Sequence, residues 1–160
     1  MTFDHRTLRE TLGLFVTGVT IITTQTEEGE MIGITANSFN SVSLDPPLVL
    51  WSVACNSRSL QGFENARYFA VHILRDDQVD LSQRFAVRSA DKFQGIKVNR
   101  GLGDVPLLPE CAARLECSLY GRHPAGDHII FVARVERMQS DRSARPLVYH
   151  GGSYASLADK

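Results

Sequence analysis

Apolar and β-branched residues occur in short runs along this chain, separated by polar breaks rich in Gly, Pro, Asp and Asn. Leu8, Leu12 and Phe15 recur at spacings of four and three, the period of one helix face. Asp4 is placed to cap that helix, and Gly13 and Gly18 weaken it towards its end. From Val19 to Thr26 the density of β-branched residues predicts a strand. Glu27-Glu28-Gly29-Glu30 is a polar turn, and Met31 to Ala36 returns as a second strand, so the pair predicts a hairpin. Gly33 to Ser43 reads as a long, small and polar connection. Asp45-Pro46-Pro47 breaks the chain, because proline has no N–H to give to a ladder. Leu48 to Cys55 is almost continuously apolar and predicts a strand covered on both faces.

Further along, Ser57 to Glu64 predicts a short helix, Tyr68 to Leu74 a strand, and Asp76 to Phe85 another helical turn or two. Residues 88–110 form an irregular excursion. Ala113 to Tyr120 and His128 to Met138 predict two closing strands, and Pro146 to Tyr154 is a short tail carrying a glycine pair. Strands joined by short turns, with only small helices, predict a mainly β, antiparallel fold. Such a sheet must close or be covered to hide its edges, so a Greek-key barrel with small flanking helices fits. The strands do not alternate with helices of about 10–15 residues, which excludes a doubly wound parallel sheet.

Composition narrows the function classes. The 160 residues make one domain spanning 1–160, and 43% apolar with 22% charged residues is enough for a core without staples. A net charge of −1 and the lack of a basic stripe exclude a nucleic-acid footprint. No apolar run approaches the roughly 20 residues of a membrane helix. The opening residues lack a leader pattern, so a cytoplasmic location is expected. Three cysteines without a CxxC pair give neither a disulfide scaffold nor a zinc ribbon.

Most motifs of cofactor and acyl-transfer enzymes are missing: there is no GxGxxG, GxxxxGK[ST] or GxSxG. The five histidines are scattered, with no HExxH, so no metal site is expected. Asp127 and His128 are neighbours, and strand alternation would send them to opposite faces, which argues against a dyad. Three segments remain. Gly33 to Ser43 either satisfies its own backbone or presents N–H, C=O, Asn37 and Ser38 to the rim of a flat polar ligand. Ser52 to Ser59 is either a capped helix start or, with its serines and Arg58, an anion site at a helix N-terminus. Gly126-Asp127-His128 opens the longest strand, and His128 either lines a pocket or merely ends the strand.

These segments carry a resemblance. Thr35-Ala36-Asn37-Ser38-Phe39 through Ser43-Leu44-Asp45-Pro46-Pro47-Leu48-Val49, then Gly126-Asp127-His128 with the strand to Val135, then Pro146 to Tyr154 occur in this order. Together they resemble the flavin reductase-like family, small reductase components of two-component flavin-dependent monooxygenases, from about Leu12 to Tyr154. The resemblance implies an FMN-binding split barrel that forms a homodimer. It implies hydride transfer from NADH or NADPH to FMN or FAD, and delivery of reduced flavin to a separate monooxygenase. Thr35, Ala36, Asn37 and Ser38 would meet the flavin ring, largely through backbone groups that stabilise the charge it gains. Ser52, Ala54 and Cys55 would follow the ribityl chain, and Ser57 and Ser59 would hold the phosphate. Arg84-Phe85 matches an element near the cofactor. His128 and Tyr154 match residues near the nicotinamide, His128 as a positioning group rather than a base. The rival readings are a flavin-binding electron carrier of the same fold without nicotinamide turnover, and a structural or protein-interaction barrel.

Overall fold

The computed structural model describes residues 4–88 and 91–158. At its start the Asp4 carboxylate accepts the N–H of Thr7 at 3.1 Å and of Arg6 at 3.4 Å, capping helix α1 (His5–Leu12) as expected. Gly13 ends this helix, so Phe15 falls beyond it. None of the helix residues is buried, and Leu8 and Leu12 are exposed.

After a two-residue strand β1 (Thr17–Gly18), β2 (Thr20–Gln25) and β3 (Met31–Ala36) form the expected hairpin. Its turn closes with Thr26 N–H donating to Glu30 O at 2.9 Å, and Gly29 takes a φ of 87°, which glycine tolerates best. Part of the stretch read as a connection is a strand, β4 (Asn40–Leu44), paired with β5 (Pro47–Ala54). It lies at a sheet edge and is largely exposed, so it needs no apolar run to reveal it. There follow α2 (Leu60–Asn65), β6 (Tyr68–Ile73), α3 (Val79–Ala86), the short β7 (Asn99–Arg100) and β8 (Pro106–Leu107), the long hairpin β9 (Ala113–Ala125) and β10 (His128–Ser140), and finally β11 (Val148–His150) and β12 (Ser153–Ala155).

Seven strands form one antiparallel sheet in the order β3-β2-β6-β9-β10-β5-β4. Between β5 and β6 the chain crosses the β9–β10 hairpin, as the long connection of a Greek key does. The two edge strands, β3 and β4, are consecutive in the chain, joined by residues 37–39, yet they are not ladder partners. The fold is thus mainly β and antiparallel with small helices, and its hydrogen bonds leave the sheet open along one seam.

Both faces of β2 are covered. Ile22 joins a cluster with Trp51, Phe63, Phe69 and Phe131, while Ile21 joins a second with Leu74, Phe85, Leu108 and Leu147. The strand expected to be covered on both faces, β5, is not. Val49, Trp51 and Val53 are buried, but Leu50, Ser52 and Ala54 stay partly open. Trp51 stacks on Phe131 with ring centroids 5.7 Å apart and meets Phe69 edge-on at 5.0 Å. The threonines buried in β2 find acceptors: Thr20 donates to Ala36 O, Thr23 to Pro106 O and Thr24 to Tyr68 O, at 2.6–2.7 Å.

Of the excursion read as irregular, the described residues 91–110 are mostly irregular but carry the short β7–β8 pair and pack against the fold. Phe93 and Leu108 join the second cluster, and Val105 and Leu107 pack on Ala70. His72, fully buried on β6, pins it: Leu108 N–H donates to His72 Nε2 at 3.0 Å while His72 Nδ1 donates to Ile21 O at 3.0 Å. The bond from Leu108 needs an unprotonated Nε2 and hence the neutral ring, and burial pushes the pKa down from 6.5 to about 4, against the Ile21 bond, which favours the proton. The unfolded chain therefore takes the proton before the fold does. The stability this histidine contributes is complete above pH 6.5 and declines as pH falls towards 4. Denaturant melts between neutrality and about pH 5, above the carboxylate range, should show the midpoint dropping. A flat midpoint across that window would mean that the ring accepts a proton without loss. Among the described residues no helix is long and apolar enough to cross a membrane.

Candidate active site

The seam beside β3 holds a cavity of about 360 Å³. The end of β3 and the loop after it supply Ile34, Thr35, Ala36, Asn37 and Ser38. The half-open face of β5 supplies Ser52 and Ala54, with Val53 between them. Residues 56–59 before α2, Phe85 to Arg88 at the end of α3, Lys92 and His128 complete the wall. Ser38 ties the loop across the seam: its Oγ accepts Ser52 N–H at 3.0 Å and lies 3.3 Å from Ser52 O. Thr35 Oγ1 donates to Ser82 O at 2.6 Å, and the buried Ser82 hydroxyl shares a 2.8 Å hydrogen bond with Tyr154 OH. Helix α3 and the C-terminal hairpin thereby hold the 35–38 loop from behind.

Eleven of the residues singled out from the sequence meet here: Thr35, Ala36, Asn37, Ser38, Ser52, Ala54, Ser57, Arg58, Ser59, Phe85 and His128. Three lie elsewhere. Cys55 is exposed just past β5, with its N–H on Asp127 O at 2.8 Å. Arg84 donates to Gln94 O. Tyr154 lines a separate cavity of about 180 Å³ with Tyr149 and Ser82, and Thr35, Asn37 and Ala86 border both spaces.

The helix expected to begin at Ser57 begins at Leu60, and its N-cap Ser59 makes no side-chain cap bond. Ser57, Arg58 and Ser59 therefore sit in the loop ahead of it, where Ser57 Oγ accepts Ser59 N–H at 3.3 Å. The Arg58 guanidinium has no hydrogen-bond partner among the described residues, so its charge is available to an anion. Lys92 was not anticipated, because residues 88–110 show no pattern from which to single it out. Its Nζ donates to Gly33 O at 3.0 Å and Phe85 O at 2.9 Å, leaving one N–H, and partial burial lowers its pKa from the usual lysine value. A neighbouring cavity of about 560 Å³ also touches Arg58, but Glu27, Glu28 and Glu30 line it and would repel an anion.

Asp127 and His128 do form a pair, contrary to the strand-alternation expectation. Asp127 Oδ1 lies 2.7 Å from His128 Nδ1. Alternation does not apply, because His128 pairs with Ala125 and Asp127 belongs to the two-residue loop between β9 and β10. Gly126 takes the positive φ of 62° that the first position of such a loop favours. The hydrogen bond from His128 is the chief reason why the Asp127 carboxyl sits below the ordinary carboxylate range.

One glycine sets the cavity wall. A Cβ on Gly33 would lie 2.5 Å from Phe85 Cε1, and Phe85 is buried with its ring edge-on to Phe93 at 5.0 Å. Gly33→Ala is expected to cost about 1–3 kcal/mol of stability by overpacking. An unchanged denaturation midpoint would mean that Phe85 yields without resistance.

Comparison with known proteins shows the family to which the chain belongs. A family model described as a flavin reductase like domain matches residues 12–158. An FMN reductase (NADH) of Agrobacterium fabrum is 46% identical over 97% of this chain and 87% of its own. The reductase subunit of a flavin-dependent monooxygenase of Rhodococcus jostii is 38% identical over 96% of this chain and 78% of its own. An NADH:FAD oxidoreductase of Streptomyces globisporus, solved in complex with NAD and FAD fragments, superimposes with a TM-score of 0.91 at 35% identity, covering 97% of this chain and 93% of that one. Against some longer relatives the chain spans about half of their length. With nearly its whole length matched, this chain belongs to the flavin reductase-like family.

Proposed function

We propose that this protein is an NADH-dependent flavin reductase that moves a hydride from the nicotinamide to FMN or FAD. The cavity at the seam carries the reading. It has the volume of a small-ligand site, apolar walls at Ile34, Val53 and Phe85, and hydroxyls, two amides and three cations around them. That donor set fits a flat ring with a polar rim and a phosphate tail. Thr35, Ala36, Asn37 and Ser38 would face the ring, Ser52 and Ala54 the sugar-alcohol chain, and Ser57, Ser59 and Arg58 the phosphate. Cys55 and Arg84 would act only from the margin. A flavin held there would supply the redox chemistry, as acceptor of the nicotinamide's hydride. The chain's own residues orient the reactants and exclude solvent, and no strong acid or base is needed. Tyr154 would act through Ser82 on the position of Thr35 rather than beside His128. Relatives are named as NADH enzymes, which favours NADH over NADPH.

Loss of NADH absorbance after adding free FMN or FAD tests this directly. Many turnovers per protein are expected. A tightly yellow protein without turnover would instead be an electron carrier, and a colourless one with no flavin affinity an interaction domain. Arg58→Ala is expected to weaken FMN by about tenfold or more, the scale of a charge-assisted hydrogen bond, and to leave riboflavin, which lacks the phosphate, unchanged. Equal effects on both ligands would remove Arg58 from the phosphate site.

The open seam and the exposed apolar surface support a split barrel completed as a homodimer. Phe15 and Leu44 are 79% and 94% exposed, and Leu12, Leu14 and Val42, their neighbours in sequence, are exposed as well. Sedimentation should give twice the chain mass, and a monomer at micromolar concentration would oppose the assembly. Two relatives are named as reductase components of flavin-dependent monooxygenases, which supports transfer of reduced flavin to a separate monooxygenase. The cytoplasm, where reduced nicotinamide is at hand, is the expected setting.

A further inference from the structure

A second cavity, of about 290 Å³, lies where β6 ends, β9 begins and β10 ends. Among the described residues it shares no wall with the seam cavity. Its frame is fixed by backbone: Ala112 N–H donates to Ile73 O at 2.9 Å and Asp141 N–H to Ala112 O at 2.8 Å, which ties the strand ends together.

Two guanidiniums, Arg75 and Arg114, line this space. Arg114 is half-buried and donates to Oε1 of Gln139, its partner across the ladder, at 2.9 Å. Among the described residues no carboxylate forms an ion pair with it. A guanidinium can only donate, so one bond leaves most of its N–H groups and its charge without an acceptor. The Gln139 oxygen is used on Arg114, and its amide N–H groups remain as donors. Arg75 gives one N–H to Asp77 Oδ2 at 2.8 Å and keeps its others. Both arginine charges reach the Cys111 thiol on the same wall, yet burial pushes that thiol up to about 11. It stays protonated at neutral pH, so the cavity is equipped to bind rather than to react.

We propose that this cavity is a binding site for a small monocarboxylate, separate from the seam and held by Arg114 and Arg75. The planar fork of a guanidinium matches the two oxygens of a carboxylate, and Gln139 keeps the Arg114 fork in place. Two acidic residues on the same wall limit the charge of the ligand. Asp141 is turned to its own loop, where Oδ1 accepts Ser143 N–H at 2.9 Å and the Ser143 hydroxyl at 2.6 Å. Glu110 has no such partner among the described residues. One negative charge meets the arginines, whereas a second on the same ligand faces Glu110 and Asp141 and is repelled. The site therefore favours a carboxylate over a dianion such as sulfate.

The test is saturation-transfer NMR of propionate on the full chain at constant ionic strength, with and without excess FMN. Saturable binding that FMN leaves unchanged is expected. Arg114→Gln should weaken it by about tenfold or more, the scale of a charge-assisted hydrogen bond. Arg75→Gln should weaken it as well, and serves as the second variant should Arg114→Gln disturb the ladder beside His72. Sulfate should compete poorly in the parent and severalfold better in Glu110→Gln. No saturable propionate binding, displacement by FMN, persistence in both arginine variants, or equal competition by sulfate with and without Glu110 would each overturn the proposal. Failure of FMN itself to bind would refute the flavin reading and not this one, because the two sites have no residue in common.

Discussion

His128→Ala is expected to lower kcat/KM for NADH by about 10–100-fold, the range over which misplacement of a bound reactant is felt. The histidine lies on the cavity wall, at the first residue of β10, and among the described residues no other imidazole lines that space. Because hydride transfer between two cofactors needs no protein base, the residue's contribution is the placement of the nicotinamide over its acceptor. The KM for NADH and the rate of flavin reduction in a single turnover should therefore both change, with flavin affinity changing much less. If the single-turnover rate and the KM matched the parent, His128 would have no part in the reaction.

The largest effect on stability is expected from Trp51→Ala, at about 3–5 kcal/mol. Trp51 is completely buried at the centre of the aromatic cluster, between Phe131 and Phe69, with Phe63 of α2 against the same rings. Truncation leaves a cavity that a sheet pinned on both sides by β10 and β4 cannot close. For a domain of this size the loss corresponds to a fall in Tm of roughly 6–20 °C. Trp51→Phe should cost far less: it keeps most of the ring and removes a buried indole N–H that has no partner in the fold. Thermal melts followed by circular dichroism would decide it. An alanine variant melting within a few degrees of the parent would mean that the cluster relaxes around the gap.

Much of this architecture was legible in the residues because the signals were local. Asp4 capped its helix, the β-branched run after Gly18 made a strand, Gly29 turned it, and the chain broke at Asp45-Pro46, although Pro47 already belongs to β5. What depended on partners distant in sequence was not legible. Nothing along the chain shows that β6 inserts between β2 and β9, or that β3 and β4, neighbours in sequence, end up as opposite edges of the sheet. β4 was hidden because an exposed edge strand can be polar throughout. β5 was misjudged because its small residues, Ser52 and Ala54, face an open cavity rather than a second layer.

The site divides in the same way. The Thr35 to Ser38 and Ser52 to Ser59 segments were recognisable by composition and order, and the fold brings them to one wall. Lys92 was invisible because its part depends on Gly33 and Phe85 carbonyls that only the fold supplies. The Asp127–His128 contact was excluded by a rule for strands that does not govern a two-residue loop. Tyr154 was grouped with His128 by resemblance, whereas its hydroxyl reaches Ser82, behind the loop.

The central claim is that the seam between the early strands is a flavin site. A crystal structure of the protein soaked in FMN tests it most directly. The ring is expected against Thr35 to Ser38, with the phosphate among Ser57, Arg58 and Ser59. An empty seam, one filled by the chain's own side chains, or FMN bound at another place would contradict it.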